Sequence, residues 1–371
     1  MNIIKRSAFG AIAVVSAGLL LAGCGAAPEE TAPADGTNEA STPAEGAASD
    51  FLPCIVSDAG GFDDKSFNQL SYEGVQEAAD ELGVEFKEAE SNSGSDYAPN
   101  LENMVAQGCD TIVSVGFNLA EATVDGANAN PDIDFLLIDD AADTDFDGKK
   151  DAETVKPLLY DTAQAAFLAG YLSAGYSEAG KVGTFGGQQI PTVTIFMDGF
   201  KQGVDYYNEQ NGADVQVIGW DGKTGTFTGG FEAGPDAKNA AQNIIDQGAD
   251  VLLPVGGPIY QSALQAIKEA DHDVALIGAD ADLFESDPST ADYVLTSIMK
   301  NMKLSTYQAV VDSANGKFDP EAYIGTLEND GVELADLHNF QDKVDPALMD
   351  EVTALKDSIV SGDVKVDSYL G

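Results

Sequence analysis

From residue 51 onward, short runs of β-branched and other apolar residues alternate with longer segments in which apolar residues recur every three or four positions. The short runs predict buried strands, and the longer segments predict amphipathic helices. We expect strands at 54–57, 84–88, 111–115 and 135–138, and helices at 66–82, 98–107 and 119–129. This rhythm is typical of a parallel sheet with helices on both faces, so the predicted fold class is α/β.

The pattern recurs at a spacing of about 140 residues. The segment QGCDTIVSVG at 107–116 matches QGADVLLPVG at 247–256, and LIDDA at 137–141 resembles LIGAD at 276–280. Solenoid repeats have periods of about 20–50 residues, so this longer spacing predicts two similar lobes instead. We expect a first lobe formed by 51–159 and 289–318, and a second lobe formed by 160–288 and 319–371.

Small and acidic residues follow the predicted strands. Ligands of open parallel sheets bind beyond the carboxyl ends of the strands, so two facing lobes would bring these ends together at one cleft. This arrangement predicts a two-lobe fold like that of the type I periplasmic binding proteins, with a multi-strand hinge near 156–160, 288–297 and 318–325. The residues at the strand ends are Asp58, Gly116, Phe117, Asp139, Gly256, Gly257 and Asp280.

The first 50 residues have a different composition. Lys5 and Arg6 precede an uncharged apolar stretch at 8–21, which ends in Leu21 and is followed by Ala22, Gly23 and Cys24. This stretch is shorter than the roughly 20 residues that cross a bilayer, so it predicts a removed lipoprotein signal at 1–23, with lipid on Cys24. An ordinary secretory signal with a chance cysteine is the alternative. The segment 24–50, rich in alanine, proline and acids, predicts a disordered tether outside the cell membrane.

The charge balance restricts the partners. The chain has 63 acidic residues against 18 lysines and arginines, a net charge of −45, which excludes nucleic acid. Its only arginine, Arg6, lies in the predicted signal, and this absence of the usual carboxylate and phosphate clamp favours a neutral or cationic ligand. Neither His272 nor His338 lies beside a candidate nucleophile, so we expect neither an enzyme nor a cofactor.

One segment is specific enough to indicate a family. The sequence DAGGFDDKSFN at 58–68 closely resembles the signature of the basic membrane protein family, the purine-nucleoside receptor lipoproteins of ABC transporters. FLAGY at 167–171, GFKQGV at 199–204 and LTSIMK at 295–300 are similar to later motifs of that family. The resemblance covers roughly 53–360 and implies an ABC permease and ATPase as partners, with no chemistry on the ligand.

The resemblance implies a nucleoside in the interlobe cleft. Phe67 would stack on one face of the base, and Asp58 and Asn68 would hydrogen-bond to its edge. A loop of the second lobe would supply the second aromatic ring, for which we choose Phe227. Trp220 and Phe231 compete with it for this role.

The same resemblance implies a ribose site. Asp139 and Asp280 would accept protons from ribose hydroxyl groups, and Lys300 would donate to the sugar. Asp140 competes with Asp139 for this role, and Lys303 competes with Lys300. The family's glycine-rich turn, which includes Gly257, reads PVGGPIY here, a departure that bears on the backbone contacts to ribose.

Two further features concern metals and cysteines. Asp143, Asp145 and Asp147 have calcium-loop spacing, but Thr154 stands where a bidentate glutamate is expected, so we predict no metal site. Cys54 and Cys109 precede the first and third strands, which are neighbours in a flavodoxin-like strand order. Because export permits disulfides, these two cysteines are candidates for one.

Three further functions remain open from the residues alone. A sugar receptor of the same fold would also use aromatic faces, aspartates and asparagines. A sensor lipoprotein without a transport role would have the same sequence features. A glycosidase using two carboxylates would be an enzyme built on the same residue types.

Overall fold

The computed structural model describes residues 50–370. The predicted signal at 1–23, the lipidation site Cys24 and nearly all of the predicted tether lie outside the described residues. Within 50–370, none of the helices combines the length and the apolar character that a bilayer crossing requires.

Strands and helices alternate along most of the described chain. The first group comprises β1 Pro53–Val56, α1 Phe67–Leu82, β2 Lys87–Ala89, α2 Tyr97–Ala106, β3 Thr111–Val115, α3 Ala120–Ala129, β4 Asp134–Ile138 and β5 Val155–Tyr160. The second group comprises α4 Thr162–Tyr176, β6 Lys181–Gly186, α5 Pro191–Asn211, β7 Gln216–Ile218, α6 Pro235–Ile245, β8 Val251–Val255, α7 Ile259–Glu269, β9 Ala275–Asp280, α8 Leu283–Ser286 and β10 Val294–Lys300. The last elements are α9 Met302–Ala314, β11 Tyr323–Gly325, β12 Val332–Leu334 and α10 Pro346–Val360.

The strands form two six-stranded sheets, which confirms the predicted α/β class with two lobes. The first sheet has the order β11-β5-β4-β3-β1-β2 and is parallel throughout. The second has the order β12-β10-β9-β8-β6-β7, and only β12 runs antiparallel to its neighbour within residues 50–370. Strands β1, β3 and β8 are buried at every position, as expected for parallel strands covered on both faces.

The lobe boundaries differ from the prediction. We expected the chain to return to the first lobe at residue 289, but β10 pairs with β9 and β12 in the second sheet. The return follows Lys300, where α9 packs on α1 of the first lobe. Likewise β11, expected in the second lobe, pairs with β5 in the first sheet. Sheet membership depends on the hydrogen-bonding partner of a strand, which the periodicity of its own residues does not specify.

Two of the motifs that resemble the family pack helices against each other. FLAGY belongs to α4 and GFKQGV to α5, and these two helices make the most extensive helix contact within residues 50–370. Added Cβ atoms at Gly170, Gly199 and Gly203 would collide with the backbone of the facing helix. Glycine at these positions therefore allows the close approach of α4 and α5, and these motifs have a structural role.

The structure joins Cys54 and Cys109 in a disulfide, with their Cα atoms 6.0 Å apart. Cys54 lies in β1 directly beside Ile112 of β3, and Cys109 comes two residues before β3 begins. The bond therefore links two neighbouring strands at the edge of the first sheet that is opposite the strand carboxyl ends.

Candidate functional site

A cleft between the lobes is lined by residues that follow β1, β3 and β4 of the first sheet and β8 and β9 of the second. Most of the residues predicted to bind ligand line this cleft: Asp58, Phe67, Asn68, Asp139, Gly257, Asp280 and Lys300. Phe227 is the exception, because its partly buried ring packs against Trp220 in the second lobe. Residues near the strand ends of both lobes thus form a common surface.

An ion triad lies in the floor of the cleft. Lys300 Nζ, at the end of β10, lies 2.5 Å from Asp139 Oδ2 and 3.2 Å from Asp280 Oδ1. The three side chains are only 3%, 8% and 6% exposed, so the charges are shielded from bulk water. Burial opposes the ammonium charge, but the two carboxylates outweigh it and raise the pKa of Lys300. The lysine is therefore protonated at neutral pH and links the lobes through Asp139.

Asp139 and Asp280 occupy equivalent places in the two sheets. In the first sheet, Val115 of β3 pairs with Ile138 of β4. In the second sheet, the matching strands β8 and β9 pair from Val251 and Ala275 onward. Both aspartates adopt a left-handed backbone conformation, with φ of 63° and 70°. Such a conformation is uncommon for residues other than glycine, although asparagine and aspartate adopt it more often than most. Both carboxylates pair with the same lysine. The sequence alignment of LIDDA with LIGAD pairs Asp139 with Gly278. It is therefore out of register with the structure by two residues.

Aromatic rings surround the ammonium group. Lys300 Nζ lies 5.1 Å from the ring centres of Phe67 and Phe196 and 5.8 Å from that of Tyr160. These distances suit cation–π attraction, which adds to the two ion pairs. Phe196 is not among the residues that the sequence predicted for the site. The signal was available, because Phe196 lies near the start of a helix that follows a strand end, one turn before GFKQGV.

Asp58 is held by a hydrogen-bond network around the start of α1. Its Oδ1 accepts from the Gly60 N–H at 2.8 Å and from Asn68 Nδ2 at 2.7 Å. The Asp58 N–H donates to Asn68 Oδ1 at 3.1 Å. Desolvation outweighs these hydrogen bonds and raises the pKa of Asp58 to about 6. Near neutral pH the carboxylate can accept hydrogen bonds, and it becomes a donor in mild acid.

Phe227, the residue chosen from the sequence for the second aromatic ring, does not line the cleft in the described part of the chain. Its ring packs edge-on against Trp220, with centroids 5.9 Å apart, and its backbone bridges to Gly186 of β6. Phe231, four residues further on, lines the cleft instead. Its ring lies on the backbone of Gly256, where an added Cβ would come within 2.5 Å of Phe231 Cδ1. The partly buried ring of Phe227 packs against the core of the second lobe, and the chain reaches the cleft only afterwards.

Three residues that competed for roles in the site lie away from it. Asp140 is used in a local turn, where it accepts from the Ala142 N–H at 2.7 Å. Lys303 is 44% exposed and pairs with Glu73 and Glu77 on α1. Trp220 is buried and donates to Asp198 at 2.8 Å. None of the three lines the cleft in the described part of the chain.

The acidic loop after β4 lies apart from the cleft. One carboxylate oxygen from each of Asp143, Asp145 and Asp151 lies within 4.8 Å of the others. The loop also uses these carboxylates to accept backbone N–H groups, as Asp143 does from Asp147 and Gly148. An exposed acidic cluster of this kind does not by itself define a metal site.

Two facing α/β lobes that share a polar and aromatic cleft are the architecture used by solute-binding proteins that close around a ligand. The chain matches the family model of the PnrA-like ABC transporter substrate-binding proteins, Bmp, over residues 52–368. It belongs to that family, which confirms the resemblance found in the sequence.

Individual relatives cover most of the chain. The ABC transporter nucleoside-binding protein BmpA of Lactococcus lactis is 28% identical over 337 residues, 86% of this chain and 90% of the relative. A protein of Pyrococcus abyssi named as an uncharacterized lipoprotein is 29% identical over 291 residues, 76% of this chain and 68% of the relative. A solved ABC transporter solute-binding protein from Aeropyrum pernix has a TM-score of 0.76 at 26% identity, covering 86% of this chain and 94% of that one.

Proposed function

We propose that this protein is a lipid-anchored receptor on the outer face of the cell membrane that captures a purine nucleoside and delivers it to an ABC permease and its ATPase. The observation that supports this most is the composition of the cleft. Phe67 from one lobe and Phe231 from the other line the same space as Asp58 and the buried triad. The name of the Lactococcus lactis relative adds support, because it describes a nucleoside-binding protein.

The base would lie between Phe67 and Phe231. Aromatic side chains stack on the faces of nucleobases, and each such contact contributes about 1–3 kcal/mol. Asp58 is at the same end of the cleft, near the ring of Phe67, and its carboxylate can accept from N–H groups on the edge of a purine.

The ribose would lie over the triad. Asp139 and Asp280 accept from sugar hydroxyl groups, and Lys300 donates to their oxygens. Gly257 has a φ of 45° and lies in the turn that departs from the usual sequence of the family. Its backbone would contact the ribose. The cleft lining contains four carboxylates, those of Asp58, Asp64, Asp139 and Asp280, against one ammonium group within residues 50–370. This balance disfavours a phosphate, so we expect nucleosides to bind and nucleotides to be rejected.

Binding would work by closure of the lobes. Contacts between the lobes already include the Lys300–Asp139 pair and a hydrogen bond from Ser66 Oγ to the Ala279 carbonyl oxygen at 3.1 Å. A ligand that contacts both lobes favours the closed state by the difference between its affinities for the two states. The permease would then recognise the closed form and receive an unchanged ligand.

Isothermal titration calorimetry tests the ligand class. We expect micromolar or tighter binding of inosine, guanosine or adenosine, and no binding of inosine monophosphate or free ribose. Heat with a free sugar and none with any nucleoside would instead support a sugar receptor of the same fold.

Detergent partitioning tests the location. We expect the wild-type protein, expressed with its signal, to enter the detergent phase of Triton X-114, and the Cys24→Ser variant to stay in the aqueous phase. Equal partitioning of both would contradict the lipid anchor and leave the ligand proposal intact.

A further inference from the structure

The side-chain amide of Asn68 is fully engaged inside the protein. Its Nδ2 donates to Asp58 Oδ1 at 2.7 Å and to Asp64 Oδ2 at 3.1 Å. Its Oδ1 accepts from the Asp58 N–H at 3.1 Å. Because the amide has only two N–H groups, neither remains for a ligand in this arrangement. The family resemblance implies that Asn68 binds the edge of the base. In this arrangement Asn68 instead influences the ligand indirectly, through its hydrogen bonds to Asp58.

Asp64 sets the orientation of that amide. Asp64 is buried, and apart from Asn68 Nδ2 it accepts from the backbone N–H groups of Ser66, Asn68 and Gln69 at 2.9–3.1 Å. An ionised carboxylate can only accept, so the NH₂ side of Asn68 must face it. A flipped amide would bring its carbonyl oxygen against the Asp64 carboxylate and its NH₂ against the Asp58 N–H.

This arrangement leaves one oxygen of Asp58 for a ligand. Oδ1 is taken by Gly60 and Asn68, whereas Oδ2 has no hydrogen bond from any residue in 50–370. A Cβ added at Gly116 would lie 3.3 Å from Asp58 Oδ2 and 3.4 Å from Phe67 Cε1. The free oxygen and the edge of the Phe67 ring thus lie on the same side of the cleft.

We propose that Asp64 is a positioning residue for ligand recognition, which fixes Asn68 and thereby holds Asp58 Oδ2 in the cleft as a hydrogen-bond acceptor. This inference rests on the proposed nucleoside function and narrows it. The matching base carries an N–H in its ring edge, as the 6-oxopurines of inosine and guanosine do at N1. Adenine has an acceptor at that position and is expected to bind less tightly.

The test compares inosine with 1-methylinosine, which lacks the N1–H, in three proteins by titration calorimetry. The proteins are the wild type, Asp64→Asn and the control Asp63→Asn. Asp63 is the adjacent residue, its side chain is 88% exposed, and it pairs with Lys65, so its substitution makes the same charge change away from the network. A hydrogen bond to a charged group contributes about 10- to 100-fold in affinity, so the wild type and Asp63→Asn should prefer inosine at least about 10-fold.

In Asp64→Asn the preference for inosine should fall to within about 2-fold, because Asn68 no longer holds Asp58 in place. If Asp64 had only a structural role, Asp64→Asn would weaken the binding of both ligands equally and keep the preference for inosine. That result would overturn the proposal. Asn68→Ala, which leaves Asp64 at the start of α1, provides the same measurement if Asp64→Asn does not fold. A retained preference in Asn68→Ala would likewise overturn it. If the wild type binds no nucleoside, the proposed function fails, and this inference fails with it.

Discussion

The two lobes have the same sheet plan but contribute different groups to the cleft. At equivalent strand ends they supply one aspartate each, Asp139 and Asp280, and both aspartates pair with the same lysine. Beyond this shared centre, the first lobe presents Phe67 from the start of a helix. The second lobe presents Phe231 from a glycine-rich loop.

The means of holding these groups also differ. In the first lobe, the hydrogen bonds that Asn68 donates to Asp58 and Asp64 fix the loop, and the Cys54–Cys109 disulfide links two strands of the sheet. In the second lobe, Phe231 rests directly on glycine backbone, and Ala249 occupies the position that matches Cys109. The comparison teaches that the duplicated sheets fix the charged centre, whereas recognition of the rest of a ligand depends on loops that are not duplicated.

The largest effect is expected at the shared centre. Lys300→Met leaves Asp139 and Asp280 buried and facing each other without a counter-charge. Breaking such a pair costs about 3–5 kcal/mol of unfolding free energy. Nucleoside binding should be lost as well. Denaturant unfolding and calorimetry measure the two effects.

The matched control is Lys303→Met, which removes an exposed lysine three residues further along the chain. It should change the stability by only about 0–1 kcal/mol. Similar losses of unfolding free energy in Lys300→Met and Lys303→Met would show that the buried triad contributes no more than an exposed ion pair.

The disulfide provides a test confined to the first lobe. The Cys54→Ser, Cys109→Ser double variant should lose about 2–4 kcal/mol of unfolding free energy, because a loop of 55 residues is no longer closed in the unfolded chain. Ligand affinity should remain within about 2-fold, since the bond lies at the opposite edge of the sheet. Two free thiols in the denatured wild-type protein would show that the bond does not form.

Two substitutions test which phenylalanine of the second lobe contacts the ligand. Phe231→Ala should weaken nucleoside binding by about 1–3 kcal/mol, the contribution of one stacking contact. Phe227→Ala should leave affinity nearly unchanged and lower the melting temperature, because that ring packs on Trp220. The reverse pattern would restore Phe227 as the residue that contacts the ligand.

The smallest effect concerns pH. Since the pKa of Asp58 is about 6, its acceptor function is present at pH 7.5 and is lost as the pH falls through 6. Inosine affinity should therefore drop about 4-fold between pH 7.5 and 5.5, as follows from the ionised fraction of one such group. Asp64 and Asp280 are its charged neighbours, and Tyr97 also faces it. Affinity that is independent of pH in this range would exclude an ionised Asp58 as the acceptor.

Several features followed from the sequence alone. Apolar periodicity predicted the α/β class, and the long repeat predicted two lobes. The motif at 58–68 predicted the family, which the family match confirms. These predictions succeeded because strand and helix periods, and residues at strand ends, are local properties of a chain. Asp58, Asp139 and Asp280 could be proposed as site residues because each lies at the end of a predicted strand.

Further features depended on the tertiary structure. The choice of Phe231 over Phe227 depends on the path of a loop, and the lobe that contains β10 depends on its hydrogen-bonding neighbours. The engaged amide of Asn68 and the role inferred for Asp64 depend on four hydrogen bonds that meet at one buried carboxylate. A sequence gives the types of these groups, but hydrogen bonding requires distances and directions. Only the folded chain sets these, because it brings together residues far apart in sequence.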